Sequence, residues 1–163
     1  YAKFLLGHER TDIARVGRSK AALKRLKTIA HREISNGRPL IEDQRFRDRV
    51  ALVELELMAL EVTNLRVLLD DRKGRAPGPE SSILKIKGSE IEQMLTELTM
   101  QALGPYALPS TSEPRIGNEG NHPSGAFLAD CATSNYLNCR KVSIYGGSNE
   151  IQRNIIAQMI LGL

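Results

Sequence analysis

Apolar residues return along most of the chain at steps of three and four, the period of a helix with one buried face. Ile13, Val16, Leu23, Leu26 and Ala30 form the first such series. It is predicted to stop near Asn36-Gly37, where glycine accepts a left-handed conformation and Pro39 forbids continuation. From Leu40 to Lys73 there is neither Pro nor Gly, while Phe46, Val50, Val53, Leu57, Leu60, Val62, Leu65 and Leu69 keep the period, which predicts one long helix. Gly74, Pro77, Gly78 and Pro79 then interrupt the chain. A third helix follows, with Ile83, Ile86, Ile91, Met94, Leu95, Leu98 and Ala102 on one side and Gly104-Pro105 at its end. Four Gly and four Pro crowd the 22 residues from Gly104 to Gly125, a density that predicts a long surface loop. A fourth helix is predicted from about Ser124 towards Val142, carrying Phe127, Leu128, Cys131, Tyr136 and Leu137, and a fifth begins after Gly146-Gly147. No period-two run predicts a strand. The expected fold is all-α: an up-down four-helix bundle with a short extra C-terminal helix.

Composition keeps this picture and narrows the chemistry. At 163 residues, with 41% hydrophobic and 26% charged residues, the chain is one ordinary globular domain rather than a disordered or fibrous one. No apolar run approaches the ~20 residues of a membrane span, and the opening Tyr1–Leu6 stretch is too short for a secretory leader. The net charge of +4 (23 basic, 19 acidic) is concentrated in Arg10, Arg15, Arg18, Lys20, Lys24, Arg25, Lys27 and Arg32, opposed between residues 10 and 32 by Asp12 alone. Such a row attracts polyanions or phosphorylated small molecules, or is a solvated helix face. With no Trp and seven aromatics, the stacking platforms of single-strand binders are missing, so nucleic acid is not the expected partner. Cys131 and Cys139 fall eight apart in one predicted helix, too far to bridge. Reduced thiols of this kind fit a cytoplasmic protein, and three scattered histidines without a Cys-x-x-Cys predict no metal.

The segment richest in chemistry is Ile144-Tyr145-Gly146-Gly147-Ser148-Asn149-Glu150-Ile151-Gln152-Arg153. Its glycines permit close approach of a ligand, Ser148 or Asn149 can cap the following helix, and the amides at that helix start attract anions. A plain turn with an N-cap would have the same residues. The run, continued by Asn154-Ile155-Ile156-Ala157, resembles the C-terminal signature of acyl-CoA dehydrogenases, Tyr-Glu-Gly-Thr-x-x-Ile-Gln-Arg. Leu6-Gly7-His8-Glu9-Arg10, Gly37-Arg38-Pro39-Leu40-Ile41, Ser82-Ile83-Leu84-Lys85 and Gln101-Ala102-Leu103-Gly104 resemble further segments of that family in the same order. The resemblance implies the helical C-terminal domain over residues 1–163. Since the chain opens at Tyr1 in what reads as ordered structure, the family's N-terminal helical and middle β domains are expected outside it.

What the resemblance implies is flavin-dependent α,β-dehydrogenation of an acyl-CoA, with FAD as cofactor, electron-transfer flavoprotein or a similar acceptor as redox partner, and a dimer or tetramer as the assembly. The family's usual base is the Glu after the signature Tyr, where this chain has Gly146. Some members place the carboxylate in the helix that opens the domain, beside an Arg, and Glu9-Arg10 match that position, implying Glu9 as base and Arg10 as a substrate contact. Tyr145 would line the acyl pocket. Gly147, Ser148 and Glu150 match flavin contacts, although an acid at Glu150 accepts hydrogen bonds and does not donate them. Gln101 and Gly104 match a Gln-x-x-Gly-Gly given to a neighbouring subunit's flavin, with Pro105 replacing the second Gly and its N–H. Arg32 is the nearest match to the family's Arg-x-x-Phe-Gly, whose Arg grips the flavin's phosphates, with one extra residue and no Phe, and Arg38 or a solvated helix end remain alternatives. These departures keep open a second reading, a non-catalytic partner subunit in a heteromeric acyl-CoA dehydrogenase.

Overall fold

A computed structural model describes residues 14–72, 78–107 and 132–163, with side-chain surroundings from 14 to 69 in the first stretch. Among the described residues there are five α-helices: α1 (Val16–Arg32), α2 (Gln44–Arg72), α3 (Glu80–Leu103), α4 (Ala132–Cys139) and α5 (Asn149–Ile156). Short 3-10 turns occupy Leu40–Glu42, Gly104–Ala107 and Arg140–Ser143, and α5 runs on into a π-helical turn, Ala157–Leu161. The fold is all-α, as the periodicity predicts. The loop and fourth-helix start expected between residues 108 and 131, Cys131 included, lie outside the described residues.

The centre of the assembly is α3, which packs against α1, α2, α4 and α5. Half of its residues are buried, on more than one face, because each neighbour covers a different side. Leu84 and Ile91 are wholly buried and Leu95, Leu98 and Leu103 nearly so, packed with Leu26, Ile29 and Ala30 of α1 and Val50, Val53, Leu57 and Leu60 of α2. Ion pairs fix the order of the helices around this core. Lys20 pairs with Glu61 and Lys27 with Glu54 at 2.6 Å, so α1 and α2 run antiparallel. Arg49 with Glu97 at 3.4 Å and Lys87 with Glu56 at 3.0 Å set α2 antiparallel to α3. Each pair is partly exposed and contributes about 0–1 kcal/mol; together they oppose a slip in register. The basic row of α1 is thus partly used inside the fold.

Two expectations change. Asn36-Gly37 is not a helix stop: α1 ends at Arg32, capped by extended Glu33 whose N–H reaches Ile29 O, and Ile34–Ser35 (β1) pairs antiparallel with Arg38–Pro39 (β2). Asn36 and Gly37 are both left-handed (φ 53° and 76°), the backbone demanded by a two-residue hairpin of the primed type. The apolar series of the long helix also divides. Phe46, Val50, Val53, Leu57 and Leu60 are buried, whereas Val62, Leu65 and Leu69 are more than half exposed, on the opposite face. The helix itself begins at Gln44, after the 3-10 turn, where the Asp43 carboxylate accepts the Phe46 N–H at 2.9 Å.

Removing side-chain volume where α3 meets its neighbours should be costly. Ile91→Ala is expected to destabilise the domain by about 2–5 kcal/mol in urea unfolding, and a loss below about 1 kcal/mol would contradict this packing.

Candidate functional site

The turn between Tyr145 and Asn149 is held by α3 from two sides. On the first, Gln93 Nε2 donates to the carbonyls of Cys139 and Arg140, both at 3.2 Å, while the Arg140 guanidinium donates to Gln93 O at 3.1 Å and lies over the Tyr136 ring. This fixes the 3-10 segment from which the turn departs. Gly146 and Gly147 then take left-handed backbone (φ 69° and 83°), and Ser148 caps α5 by accepting the Ile151 N–H at 3.4 Å. Gln152 folds back so that its amide lies 2.6 Å from where a Cβ on Gly147 would be, and the left-handed backbone there favours glycine. Around Gly146 the corresponding space is open.

The second anchor is a buried polar chain. Lys85, 5% exposed, donates from Nζ to Asn149 Oδ1 at 2.8 Å; Asn149 Nδ2 donates to Ser89 Oγ at 3.1 Å; and the Ser89 hydroxyl donates to Ile86 O at 2.8 Å. Donors and acceptors match along this path, which fixes the Asn149 amide and so the first residue of α5. Burial pulls the Lys85 ammonium below its ordinary pKa, partly offset by the Glu150 charge. Glu150 is exposed. Its carboxyl is held below the usual range first by its own backbone N–H and then by the Ser148 side chain. Glu150 thus puts a carboxylate in the first turn of α5, the place that favours an anion, paired also with Arg153 at 3.8 Å.

Beside the turn, Arg15 stands at the start of α1 in left-handed backbone (φ 47°), an uncommon conformation outside glycine. Its guanidinium donates to the Glu92 carboxylate at 3.1 Å and faces the Tyr145 hydroxyl. Desolvation lowers its pKa, but Glu92 and Tyr145 outweigh that and raise it. Glu92 also accepts from the Cys139 thiol at 3.7 Å; burial foremost, then this carboxylate, pushes the thiol pKa up. Cys139 is a free, buried cysteine rather than a reactive one.

Of the site residues expected from sequence, Tyr145, Gly147, Ser148 and Glu150 come together at this turn. Gln101 and Gly104 lie at the far end of α3, about 18–22 Å along the helix from Ser89. There the Gln101 amide accepts from Arg49 and donates to Glu97 at 3.1 Å, and Gly104 caps the helix. Arg32 is exposed at the last residue of α1, about 25 Å from the Arg15 end. Within one chain, neither group joins the turn. Glu9 and Arg10 lie outside the described residues. Among the described residues no three His, Cys, Asp or Glu converge as metal ligands, and no helix is long and apolar enough to cross a membrane. Lys85, Gln152 and Glu92 are not among the residues expected at the site, and Asn149, expected only as a possible cap, is instead a buried anchor. Lys85 had a signal, a single charge inside the apolar run Ile83-Leu84-Lys85-Ile86.

A family model for the acyl-CoA dehydrogenase C-terminal domain matches residues 1–161. The acyl-CoA dehydrogenase IpdE1 of Mycobacterium tuberculosis is 30% identical over 141 residues, covering 86% of this chain and 31% of that protein. In the crystal structure of the ChsE4-ChsE5 complex from Mycobacterium tuberculosis, a chain 25% identical superposes with a TM-score of 0.68, over 89% of this chain and 35% of that one. A glutaryl-coenzyme A dehydrogenase solved with glutaryl-CoA shares the fold at TM-score 0.75 and 21% identity, over 96% of this chain and 36% of that one. The chain belongs to the acyl-CoA dehydrogenase family, and it corresponds to that family's C-terminal domain. It spans about a third of the length of the relatives it matches.

The buried lysine has a measurable signature. Between its lowered pKa in the fold and its ordinary value when unfolded, the unfolded chain binds the extra proton, so wild-type stability rises with pH across that window. Lys85→Met removes this contribution. Urea unfolding from neutral to alkaline pH should show wild type gaining on Lys85→Met as pH rises, and a flat difference would contradict a desolvated ammonium.

Proposed function

We propose that this domain supplies the flavin-pyrophosphate cradle and one wall of the acyl pocket in an enzyme that introduces an α,β double bond into an acyl-CoA thioester. The observation that carries the reading is the Gly146-Gly147-Ser148 turn opening onto the start of α5, whose first turn carries the exposed carboxylate of Glu150. The residues fit a phosphate. The Asn149 and Glu150 N–H groups have no partner within the helix, Gly147 excludes a Cβ from the approach, and the Ser148 hydroxyl adds a side-chain hydrogen-bonding group. Glu150 is exposed, and its charge opposes a phosphate at the same helix start.

In this reading FAD, when bound, supplies the acceptor for the hydride leaving the β-carbon. The protein holds the thioester, removes the α-proton and excludes water. Gly146 has no side chain to act as base, and the open space around it leaves room for a carboxylate arriving from elsewhere. Glu9 is that carboxylate, six residues before Arg15, whose contact with Tyr145 brings the start of α1 to the turn. The proton passes to Glu9, and the β-hydrogen leaves with its electron pair. Arg10 flanks the substrate and Tyr145, 46% exposed, gives a wall of its pocket. Arg32, Gln101 and Gly104, remote from the turn, serve the flavin of a neighbouring subunit, which makes the enzyme a dimer or tetramer. Electron-transfer flavoprotein, or an acceptor like it, reoxidises the cofactor.

A second reading is favoured by Gly146 itself and by the likeness to a chain of the ChsE4-ChsE5 complex: a subunit that keeps the fold while an unlike partner holds the base. Two measurements on the enzyme carrying this domain separate them. Glu9→Gln should keep bound flavin and lose acyl-CoA oxidation by about 10²–10⁴-fold, the usual worth of a general base. Activity near wild type would reject Glu9, and protein inert until a companion chain is added would establish the second reading. For the cradle, Ser148→Ala should lower flavin content and Glu150→Gln should raise flavin affinity; unchanged affinity in both would remove the turn from the flavin site.

A further inference from the structure

Among the described residues Lys85 is the one charged side chain that is buried. It stands between Leu84, wholly buried, and Ile86, and its hydrogen-bond partner is a neutral amide, Asn149 Oδ1 at 2.8 Å, rather than a carboxylate. A methionine or leucine would fill such a place without desolvating an ammonium. The charge instead bears on the start of α5. Asn149 is the first residue of that helix, Ser148 is its N-cap, and the Glu150 carboxylate in the same turn feels the lysine's charge.

We propose that Lys85 is a positioning residue for the flavin pyrophosphate: through Asn149 it fixes the start of α5, and its ammonium, set behind that start, is the countercharge to the bound phosphate, so that flavin binding retains the Lys85 proton. The inference rests on the flavin reading of the turn and deepens it. The phosphate does not touch the ammonium. It acts across the first residue of α5, through a region closed to water, where charges are screened far less than at the surface. Glu150 sets a negative charge against a phosphate at this helix start, and Lys85 offsets it from the other side of Asn149.

The other charges around Lys85 are engaged elsewhere. On α5 the acid acting on it is Glu150, which partly offsets the burial of the ammonium, while Arg153 pairs with Glu90 of α3 at 3.2 Å. On α3 itself Lys87 pairs with Glu90 at 3.3 Å and with Glu56 of α2 at 3.0 Å. Among the described residues no charge of α1 or α4 acts on Lys85. Burial holds its pKa below the ordinary value, and an anion bound at the start of α5 raises it again. Between the flavin-free and flavin-bound values, binding takes up a proton, so affinity falls as pH rises through that window.

The test is calorimetric titration of FAD into the flavin-stripped enzyme that carries this domain, from neutral to alkaline pH, in buffers of differing ionisation enthalpy. Wild type should take up a proton with FAD on the alkaline side and lose affinity by about tenfold across the window. Lys85→Met should bind FAD about tenfold more weakly at neutral pH, without that uptake and with affinity constant across the window. A residue that only packed the helix start would weaken FAD equally at every pH and leave the uptake in place. Uptake that persists in Lys85→Met, or that is absent from wild type, would overturn the proposal. If Lys85→Met does not fold, Lys85→Arg, charged throughout, takes its place: it should bind FAD without uptake, and uptake there would equally overturn the proposal. Ser148→Ala separates the two readings. Weaker FAD binding in Ser148→Ala with no uptake in wild type rejects the role of Lys85 alone, whereas unchanged affinity in both Ser148→Ala and Lys85→Met removes the turn from the flavin site and the proposal with it.

Discussion

The hydrogen bond from Lys85 to Asn149 is the constraint on which the chemically useful part of this domain depends. It ties the first residue of a short helix to the central one inside a region that excludes water, where a broken polar contact costs about 1–3 kcal/mol and more when a charge is involved. Eight-residue helices have little stability of their own. α5 therefore owes its position to Asn149 and to the Gln152 side chain that closes over Gly147. The turn is a rigid object because α3 grips both its flanks.

That arrangement also explains the electrostatics of the turn. A buried ammonium at the start of a helix adds positive potential where the helix dipole already supplies it. The domain spends stability on this, since burial disfavours the charged form of Lys85. The Glu150 carboxyl in the first turn is shifted towards ionisation, foremost by its own backbone N–H, then by the Ser148 side chain and Arg153, with Lys85 the smallest contributor. Arg15, in left-handed backbone and paired with Glu92 at 3.1 Å, adds a second cation on the Tyr145 side. The turn thus has Lys85 of α3 bonded to Asn149 at one end and Arg15, paired with Glu92 of α3, beside Tyr145 at the other.

Helices were legible from apolar spacing alone, because α1, α2 and α3 each bury a face and burial dictates the period. The signature turn was legible as a resemblance, and its glycines and cap as physics. Three features were not. The long apolar series of α2 merges two stripes, and a list of hydrophobic positions at steps of three and four does not say which stripe meets the core. Phe46 to Leu60 do; Val62, Leu65 and Leu69 do not. Asn36-Gly37 fits both a helix stop and a hairpin turn, and the choice is made by β1 pairing with β2. Lys85 reads as a surface charge until α5 is packed over it. As for Glu9, its matching motif lies outside the described residues, so its role rests on resemblance and on the nearness of Arg15 to Tyr145.

The central claim is that the Gly146-Gly147-Ser148 turn receives the pyrophosphate of FAD. The most direct measurement is a crystal structure of the flavin-loaded enzyme that carries this domain. A phosphate oxygen within about 3 Å of Ser148 Oγ and of the first α5 amides is the expected result. A pyrophosphate bound elsewhere, with Ser148 and the first α5 amides free of it, would contradict it.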